Sequence, residues 1–552
     1  MVTGIMAKHQ LDDAQRVATK TRSQVAQGDV AGATASARIV AQRAHRAHQL
    51  STGPAWWVAA HIPWLGRPIA SVRGCTASAD TVGRDVLAPL SSSANGLVLN
   101  NLINRGQIDL KPIIGVAPVL NRADEAMTST TRQVNALPHH TWLAAVDRAR
   151  NHYGDSLAAL GAQVAGLNRA ASILPDMLGS EGRKRYFVGL ENEAESRGLG
   201  GIPGAFAIAT AENGKLSFTR FESDTVLYNV KTGLDLGPEY TARYSGSAPW
   251  DTYPNSTISP DFRDAAQIWA AMWRKYSGQE IDGAVAIDPT AISYLLKVTG
   301  PATLPDKSDV SADNVVALTQ QQLYTRYPKT TARKNYLLDI SSAISDRLLG
   351  APGSAALVHA AGRASGEGRL LVWAKDSRDE NILRQTSLSG TLEPGSRPFS
   401  GFTTVNAAGG KLDYYLRRAM RYQRSSCASN GTSTATLTLT NDAPASGLPA
   451  YVTVRADKPP YPTKPGDNKL LVNYYYTNGS RIVSVVVNGQ QLQVIPQREH
   501  GLSVFTVTVE LRRATTTTVT VVTSGDPGRG PVQILRQPGV LSLPVAVQSP
   551  VC

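Results

Sequence analysis

Residues 183–229, RKRYFVGLENEAESRGLGGIPGAFAIATAENGKLSFTRFESDTVLYN, combine a buried-strand pattern, a glycine-rich polar elbow and a hairpin, and they restrict the fold more than any other stretch. Tyr186, Phe187, Val188 and Leu190 form a short apolar run suited to an inner strand. Ala205–Ala209 and Leu216–Phe221 read as two strands joined across Glu212-Asn213-Gly214-Lys215. Between them, Glu191, Asn192, Glu195 and Arg197 lead into Gly200-Gly201, where missing side chains would let backbone amides approach a ligand or let the chain take positive φ.

Downstream, helices and strands alternate. Ser259-Pro260 opens a helix along which Phe262, Ala265, Ala266, Trp269, Trp273 and Tyr276 recur at helical spacing until Gly278. Gly283–Ile287 is a short apolar strand, and Asp288-Pro289 starts a helix that Gly300-Pro301 stops. Further helices fit 311–326 and 332–350, and RLLVWAK at 369–375 reads as a strand. This order implies an α/β layer. KLDYYLRRAMRYQ reads as a short helix, and from residue 432 the pattern is β throughout, with turn signals at Asn488-Gly489 and Gly525-Asp526-Pro527. That length suits a β-sandwich of immunoglobulin-like size.

Residues 9–50 are rich in Ala, Gln and Arg and lack proline, which suggests a helical hairpin or stalk, and helical patterning continues through 76–103 and 141–174. Trp56, Trp57 and Trp64 lie close together in AWWVAAHIPWLGRPIA. A helix-packing core is their expected place, with a membrane interface the alternative. His139-His140 reads as a polar helix-start region. At 552 residues the chain exceeds one ordinary core. The expected architecture is multidomain: an N-terminal α-helical region at 1–178, a central α/β domain at 179–425 and a C-terminal β-sandwich at 426–552.

Lys and Arg number 56 against 43 Asp and Glu, a formal charge of +13. Such a surplus suits an anionic neighbour or simply a solvated basic surface. No zinc-ligand spacing, basic zipper or aromatic-rich RNA motif accompanies it, so no nucleic-acid partner is expected. The three cysteines, Cys75, Cys427 and Cys552, exclude a cysteine-rich scaffold and allow one bridge. No run near 18 apolar residues and no signal peptide stands out. Neither a Walker loop nor a Ser/His/Asp elbow occurs, and GLGGIPG lacks dinucleotide-motif spacing.

The runs FVGLENEAESRGLGGIPGAF, SPDFRDAAQIW, IDGAVAIDPTAISYLLKVTGP, DNVV, ARKNY, KLDYYLRRAMRY and LTLTNDAPASGLPAYV resemble the actinobacterial exported-protein family of domain of unknown function 4012, as does PAWWVAAHIPWLG. The resemblance implies an extracytoplasmic, cell-envelope or membrane-associated protein, anchored by an N-terminal helix absent from this chain. Residues 183–300 also resemble, more weakly, the LytR-CpsA-Psr enzymes, which transfer glycopolymers from a polyprenyl pyrophosphate carrier to the cell wall. That likeness implies a pocket for an anionic lipid-linked glycopolymer or wall polymer, bound by Arg197, Arg220 and Arg263 beside the elbow glycines Gly200 and Gly201, with Asp224 as catalytic group and magnesium ligand. Guanidinium forks suit phosphate oxygens, and an aspartate can hold a hydrated magnesium. FESDT lacks the arginine that precedes the aspartate in that family, and ESRGLGG replaces its arginine-rich strand. Structural alternatives are an Arg197 ion pair with Glu195 or Glu191, helix-capping roles for Asp261 and Asp288, and a solvated helix face for Arg333-Lys334. An envelope scaffold or noncatalytic polymer- or lipid-binding protein is the alternative function. An extracytoplasmic setting further implies a Cys427–Cys552 disulfide, with Cys75 left as a thiol.

Overall fold

The computed structural model describes residues 29–93, 102–428, 431–525 and 528–550, with isolated residues before 29. The chain combines helices with mixed sheets. Its contacts divide it into two compact units. The first comprises Met1–Arg183, Ala211–Leu216 and Gly350–Ala356, and the second Lys184–Thr210, Ser217–Leu349 and Leu357–Cys552.

In the first unit, α1 (Val30–Leu50) begins at Asp29, whose carboxylate accepts from the Gly32 amide. The expected helical segment ahead of it lies largely outside the described residues. The short α2 (Pro54–Ala60) is followed by α3 (Arg67–Thr81), which runs through a π-helical turn at Val82–Leu87 into α4 (Ala88–Ser93). Residues 94–101 of the helix expected through 103 lie outside the described residues, and Ile103–Asn104 (β1) and Gln107–Ile108 (β2) form a small hairpin. Two long helices, α5 (Leu110–Asn135) and α6 (Ala144–Met177), pack along each other, and Val82, Val86, Ala123, Met127, Val134, Leu157 and Val164 make their shared core with the π turn. Among the described residues α6 is the one helix long and apolar enough to cross a membrane by length and composition. Its Leu157, Val164, Ala171 and Ile173 are buried, though only 22% of its most apolar stretch is. Burial pushes the Cys75 thiol up to about 11, which makes it a poor nucleophile.

The tryptophan-core expectation fails for Trp57 and Trp64, which are 55% and 63% exposed. The seven-residue α2 buries none of its residues.

The second unit is built on strands β3 (Lys184–Arg197), β4 (Gly200–Glu212), β5 (Lys215–Ser223), β6 (Gly283–Ile287) and β7 (Leu370–Ala374), in the order β5-β4-β3-β6-β7. The tip of the β4–β5 hairpin clusters with the first unit. Its turn lies where the sequence places it, with Asn213 and Gly214 at φ of 50° and 80°, the positive pair a type I′ turn requires. β6 runs parallel to β3, with Tyr186 opposite Gly283 and Leu190 opposite Ile287, while β7 pairs antiparallel to β6. The β3–β6 crossover carries α7 (Pro238–Tyr244) and α8 (Phe262–Ser277). α8 buries the expected stripe of Phe262, Ala265, Ala266, Trp269 and Trp273, while Tyr276 at its end is 40% exposed. Phe187 stacks on Phe206 at 4.6 Å, and Trp269 packs so closely on Gly189 that a Cβ there would meet its ring at 2.4 Å. Asp288 caps α9 (Pro289–Thr299), and α10 (Thr330–Gly350) follows.

From residue 399 onward the chain forms two further sheets. One contains β8 (Phe399–Asn406), β11 (Asn468–Tyr476), β14 (Gln497–Glu499), β15 (Leu502–Leu511) and β17 (Gln533–Arg536); the other contains β9 (Leu416–Arg424), β10 (Thr432–Asn441), β12 (Arg481–Val487), β13 (Gln490–Gln491), β16 (Thr516–Ser524) and β18 (Val545–Gln548). Phe402, Tyr474, Phe505 and Val507 of the first share a core with Met420, Tyr422, Leu437, Val519 and Val521 of the second. The segment read as a helix at KLDYYLRRAMRYQ is instead one 3₁₀ turn and β9, whose residues alternate between buried and exposed along its length. Period-two burial of Leu416, Arg418, Met420, Tyr422 and Arg424 overrides the helix-favouring composition. Cys427 is held in a disulfide and Cys75 is a free buried thiol; Cys552 lies outside the described residues.

Candidate functional site

Strand β3 carries Glu191, Glu193, Glu195 and Arg197 two residues apart, the interval at which strand residues share a face. All four are buried. Charges removed from water require partners, and these come from remote parts of the second unit.

Arg369, just ahead of β7, donates from Nη1 to Asp288 Oδ2 at 2.7 Å and to Glu193 Oε1 at 3.2 Å, from Nε to Glu367, and from Nη2 to the Gly539 carbonyl at 2.9 Å. Glu193 also accepts from Gln320. Arg197 donates to Glu195 Oε1 at 3.1 Å and to the carbonyls of Ser196 and Pro254 at 3.0 and 3.3 Å, while Lys411 contacts the other oxygen of Glu195. Burial lowers Arg197 to about 10, with Asp413 opposing the shift. Burial likewise pulls Lys411 down to about 8.

Glu191 differs from its neighbours. One carboxyl oxygen accepts a long bond from the Gly201 amide at 3.4 Å, and the other has no hydrogen-bond partner among the described residues. Burial, reinforced by the nearby Asp288 carboxylate, pushes Glu191 up to about 8, so it is largely protonated at neutral pH. Burial raises Glu193 as well.

The ligand place expected at the elbow is taken by the chain itself. Beyond β17, the buried Gln537 accepts at Oε1 from the Thr404 amide at 2.9 Å and from Arg418 Nη1 at 2.7 Å. Its Nε2 donates to the carbonyls of Arg197 at 2.5 Å and Thr404 at 2.7 Å. Pro538 follows, lying 3.4 Å from where a Gly200 Cβ would stand. A Cβ on Gly201 would lie 2.4 Å from the Asn192 carbonyl carbon. The two glycines therefore admit protein backbone, Pro538 and the Glu191 carboxyl.

The remaining expected residues do not join Arg197. Arg220 is half-exposed, paired with Glu222, and its guanidinium lies 5.7 Å from the Trp273 ring centroid and 6.0 Å from that of Tyr276. Arg263 binds Asp261 at 2.6 and 3.0 Å in the first turn of α8. Ten residues of helix separate Arg263 from Trp273, about 15 Å of rise. Asp224 is buried, with Oδ1 2.5 Å from Lys334 Nζ and Oδ2 accepting from the Tyr228 hydroxyl at 2.9 Å. A carboxylate already neutralised by an ammonium does not fit a hydrated magnesium. Lys334 and Arg333 thus depart from the solvated-face reading: Arg333 is buried and donates to the Tyr327 and Pro328 carbonyls at 3.1 and 2.6 Å.

Asp261, Asp264 and His500 bring their ligand atoms within 4.8 Å of one another, a grouping that could hold a metal. Asp261, rather than the Ser259 at which the sequence reading opens the helix, caps α8, and its oxygens also accept from Arg263 and the Leu392 amide. His500 Nε2 lies 2.8 Å from Asp264 Oδ2. Burial lowers the imidazole pKa, but the hydrogen bond to Asp264 and the charges of Asp261 and Asp264 outweigh it and raise His500 to about 9. Protonated, the imidazole is an ion-pair partner of Asp264, and metal binding at this grouping would require that proton to leave. Glu499 beside it accepts from Ser259, Tyr244 and Tyr475 and pairs with Arg243.

Sequence reasoning missed Glu193, Arg369, Lys411, Arg418, His500 and Gln537. The signal for Glu193 was present in the E-x-E-x-E-x-R alternation of 191–197.

Residues 181–324 match the model of a family described as Protein of unknown function (DUF4012). No curated protein matches the chain. Among solved structures it is similar to the X-ray structure of Lin1025 protein from Listeria innocua at 11% identity, over 39% of this chain and 84% of that one, with a TM-score of 0.20. A likeness of that kind supports no statement about fold or function.

Proposed function

We propose that this chain is a noncatalytic scaffold of the cell envelope whose central part holds an ionic core in place of a pyrophosphate pocket. The observation carrying this reading is the insertion of Gln537-Pro538-Gly539 among Arg197, Arg369 and Arg418, which leaves those arginines bonded to the protein's own carbonyls and carboxylates. Phosphoryl transfer requires convergent cationic groups free to meet a substrate and a base or metal to activate the acceptor. Arg220 and Arg263 lie apart, and Lys334 neutralises Asp224. In this reading the LytR-CpsA-Psr-like outline of the α/β part is one of ancestry, and the two C-terminal sheets are an immunoglobulin-like sandwich. The Cys427 disulfide suits an oxidising, extracytoplasmic compartment. The surplus of 56 basic over 43 acidic residues suits surface association with anionic wall polymers.

The test is calorimetry and phosphate release with the purified chain, a short polyprenyl pyrophosphate and magnesium. Neither saturable binding nor phosphate is expected. Magnesium-dependent release of phosphate abolished by Asp224→Ala would replace this reading with the transferase one.

A further inference from the structure

In the first unit, the segment following α1 exposes apolar side chains where a folded chain ordinarily hides them. Trp57, Val58, Ile62, Trp64 and Leu65 are 55%, 58%, 44%, 63% and 47% exposed, and α2 has no buried residue. From the far side of α5, Trp142 joins them at 47% exposure. Its Nε1 donates to the Leu65 carbonyl at 3.2 Å, and its ring centroid lies 6.1 Å from that of Trp64. Two segments distant in sequence thus present one surface. Trp64 takes a φ of 62°, a left-handed conformation that is costly for a bulky side chain. No internal burial compensates that cost, because the side chain faces out.

Charge identifies the occupant. Residues 30–79 contain the arginines Arg38, Arg43, Arg46, Arg67 and Arg73 and no aspartate or glutamate. Arg67 and His61 are exposed on the same segment. Beside Trp142, the Asp147 carboxylate is turned back onto the Thr141 amide and hydroxyl, at 3.0 and 2.7 Å. Arg43 and His45 of this segment pair with Asp13 and Asp80, while Arg67 stays exposed beside the tryptophans. A tryptophan-rich apolar surface flanked by an exposed arginine matches the headgroup zone of an anionic bilayer, where indole rings lie with their apolar body toward the acyl chains and their N–H in the polar layer.

We propose that the tryptophan elbow formed by residues 54–65 and Trp142 inserts shallowly into the surface of an anionic lipid bilayer. A helix of seven residues cannot span the membrane, so the contact is interfacial. The proposal does not depend on the ionic core of the second unit: a catalytic core would leave it intact, and an inert core would not establish it.

The experiment is co-sedimentation of the full chain with phosphatidylglycerol–phosphatidylcholine vesicles and with phosphatidylcholine vesicles alone, paired with tryptophan quenching by brominated lipid. Binding to the anionic vesicles that weakens with salt, and quenching of the native chain, are expected. The triple variant Trp57→Ser, Trp64→Ser, Trp142→Ser should lose partitioning by at least about tenfold. Its far-ultraviolet circular dichroism should be unchanged, and Arg67→Glu should weaken binding further than salt alone. Absence of binding or quenching in the native chain overturns the proposal. So does partitioning unchanged in a folded triple variant, or a concentration-dependent dimer that this variant abolishes, which would make the occupant a second copy. Should the triple variant not fold, quenching of the native chain and the Arg67→Glu result decide alone.

Discussion

Arg369 Nη1 stands 2.7 Å from Asp288 Oδ2, with both side chains buried, and the same nitrogen reaches Glu193. A buried cation bonded to a carboxylate and to a second acidic side chain contributes less by its own attraction than its removal costs, because deletion leaves both buried groups without their partner. Arg369→Met should therefore destabilise by about 3–5 kcal/mol in urea unfolding. Adding Glu193→Gln to that variant should recover part of the loss; no recovery would mean that the two residues do not share one charge balance.

Gln537 satisfies donors and acceptors on both sides of its amide, from Arg418 and Thr404 to the Arg197 carbonyl. Gln537→Ala should cost at least about 2 kcal/mol, since several buried polar groups lose partners together. Gln537→Glu should be no better, because its second oxygen would face the carbonyls of Arg197 and Thr404. A glutamate variant as stable as the native chain would refute this hydrogen-bond assignment.

Close approach at Gly201 predicts a sharp contrast with a neighbouring glycine. A methyl group there would meet the Asn192–Glu193 backbone at 2.4–2.6 Å, whereas the nearest atom at Gly204 is a side-chain carbon at 3.9 Å. Gly201→Ala should lose about 3 kcal/mol or more. Gly204→Ala should be neutral or stabilising by up to about 1 kcal/mol. Thermal midpoints of the two variants check the difference.

Glu191 and His500 are among the groups whose raised pKa values make stability fall with pH, in the same direction as the raised Glu193, Asp264 and Glu380. The protonated carboxyl of Glu191, raised by burial to about 8 from 4.5, contributes stability that is complete below 4.5 and lost as pH rises through 8. His500, raised to about 9 from 6.5 by its aspartate partners against the effect of burial, contributes stability that is complete below 6.5 and lost through 9. Lys411, lowered by burial to about 8 from 10.5, opposes them only above pH 8. Urea midpoints should decline from pH 5 to pH 9, with the two losses overlapping between about 6.5 and 8. Glu191→Gln should flatten the lower limb of that decline and His500→Gln the upper. An unchanged profile in both variants would assign the decline to other groups.

The cysteines should divide by reactivity. Cys427 is disulfide-bonded, so Cys427→Ser should destabilise by about 2–4 kcal/mol. Cys75, buried and raised to about 11, should react with a thiol reagent only after unfolding. Rapid labelling of the native chain would contradict its burial.

Part of the fold is written in local period and punctuation and is legible from the residues alone. The strand at 186–190, the Asn213-Gly214 turn, the α8 stripe from Phe262 to Trp273 and the caps Asp261 and Asp288 follow from residues within a few positions of one another, because strand alternation, helical repeat and capping act over that distance. Only the tertiary structure decided what the charges do. The Arg197 carbonyl meets Gln537 340 residues later, and Glu193 meets Arg369 176 residues later. Nothing near Arg197 in the chain distinguishes an arginine awaiting phosphate from one closed by the protein's own backbone. Burial decided the rest: alternation of buried and exposed residues turned LRRAMRYQR into a strand, the Asp224 charge drew in Lys334, and a helix too short to bury a face left Trp57 outside, with Trp64 exposed in the turn beyond it. A side chain's environment depends on which distant surfaces cover it, and that is settled when the chain packs rather than by its neighbours in sequence.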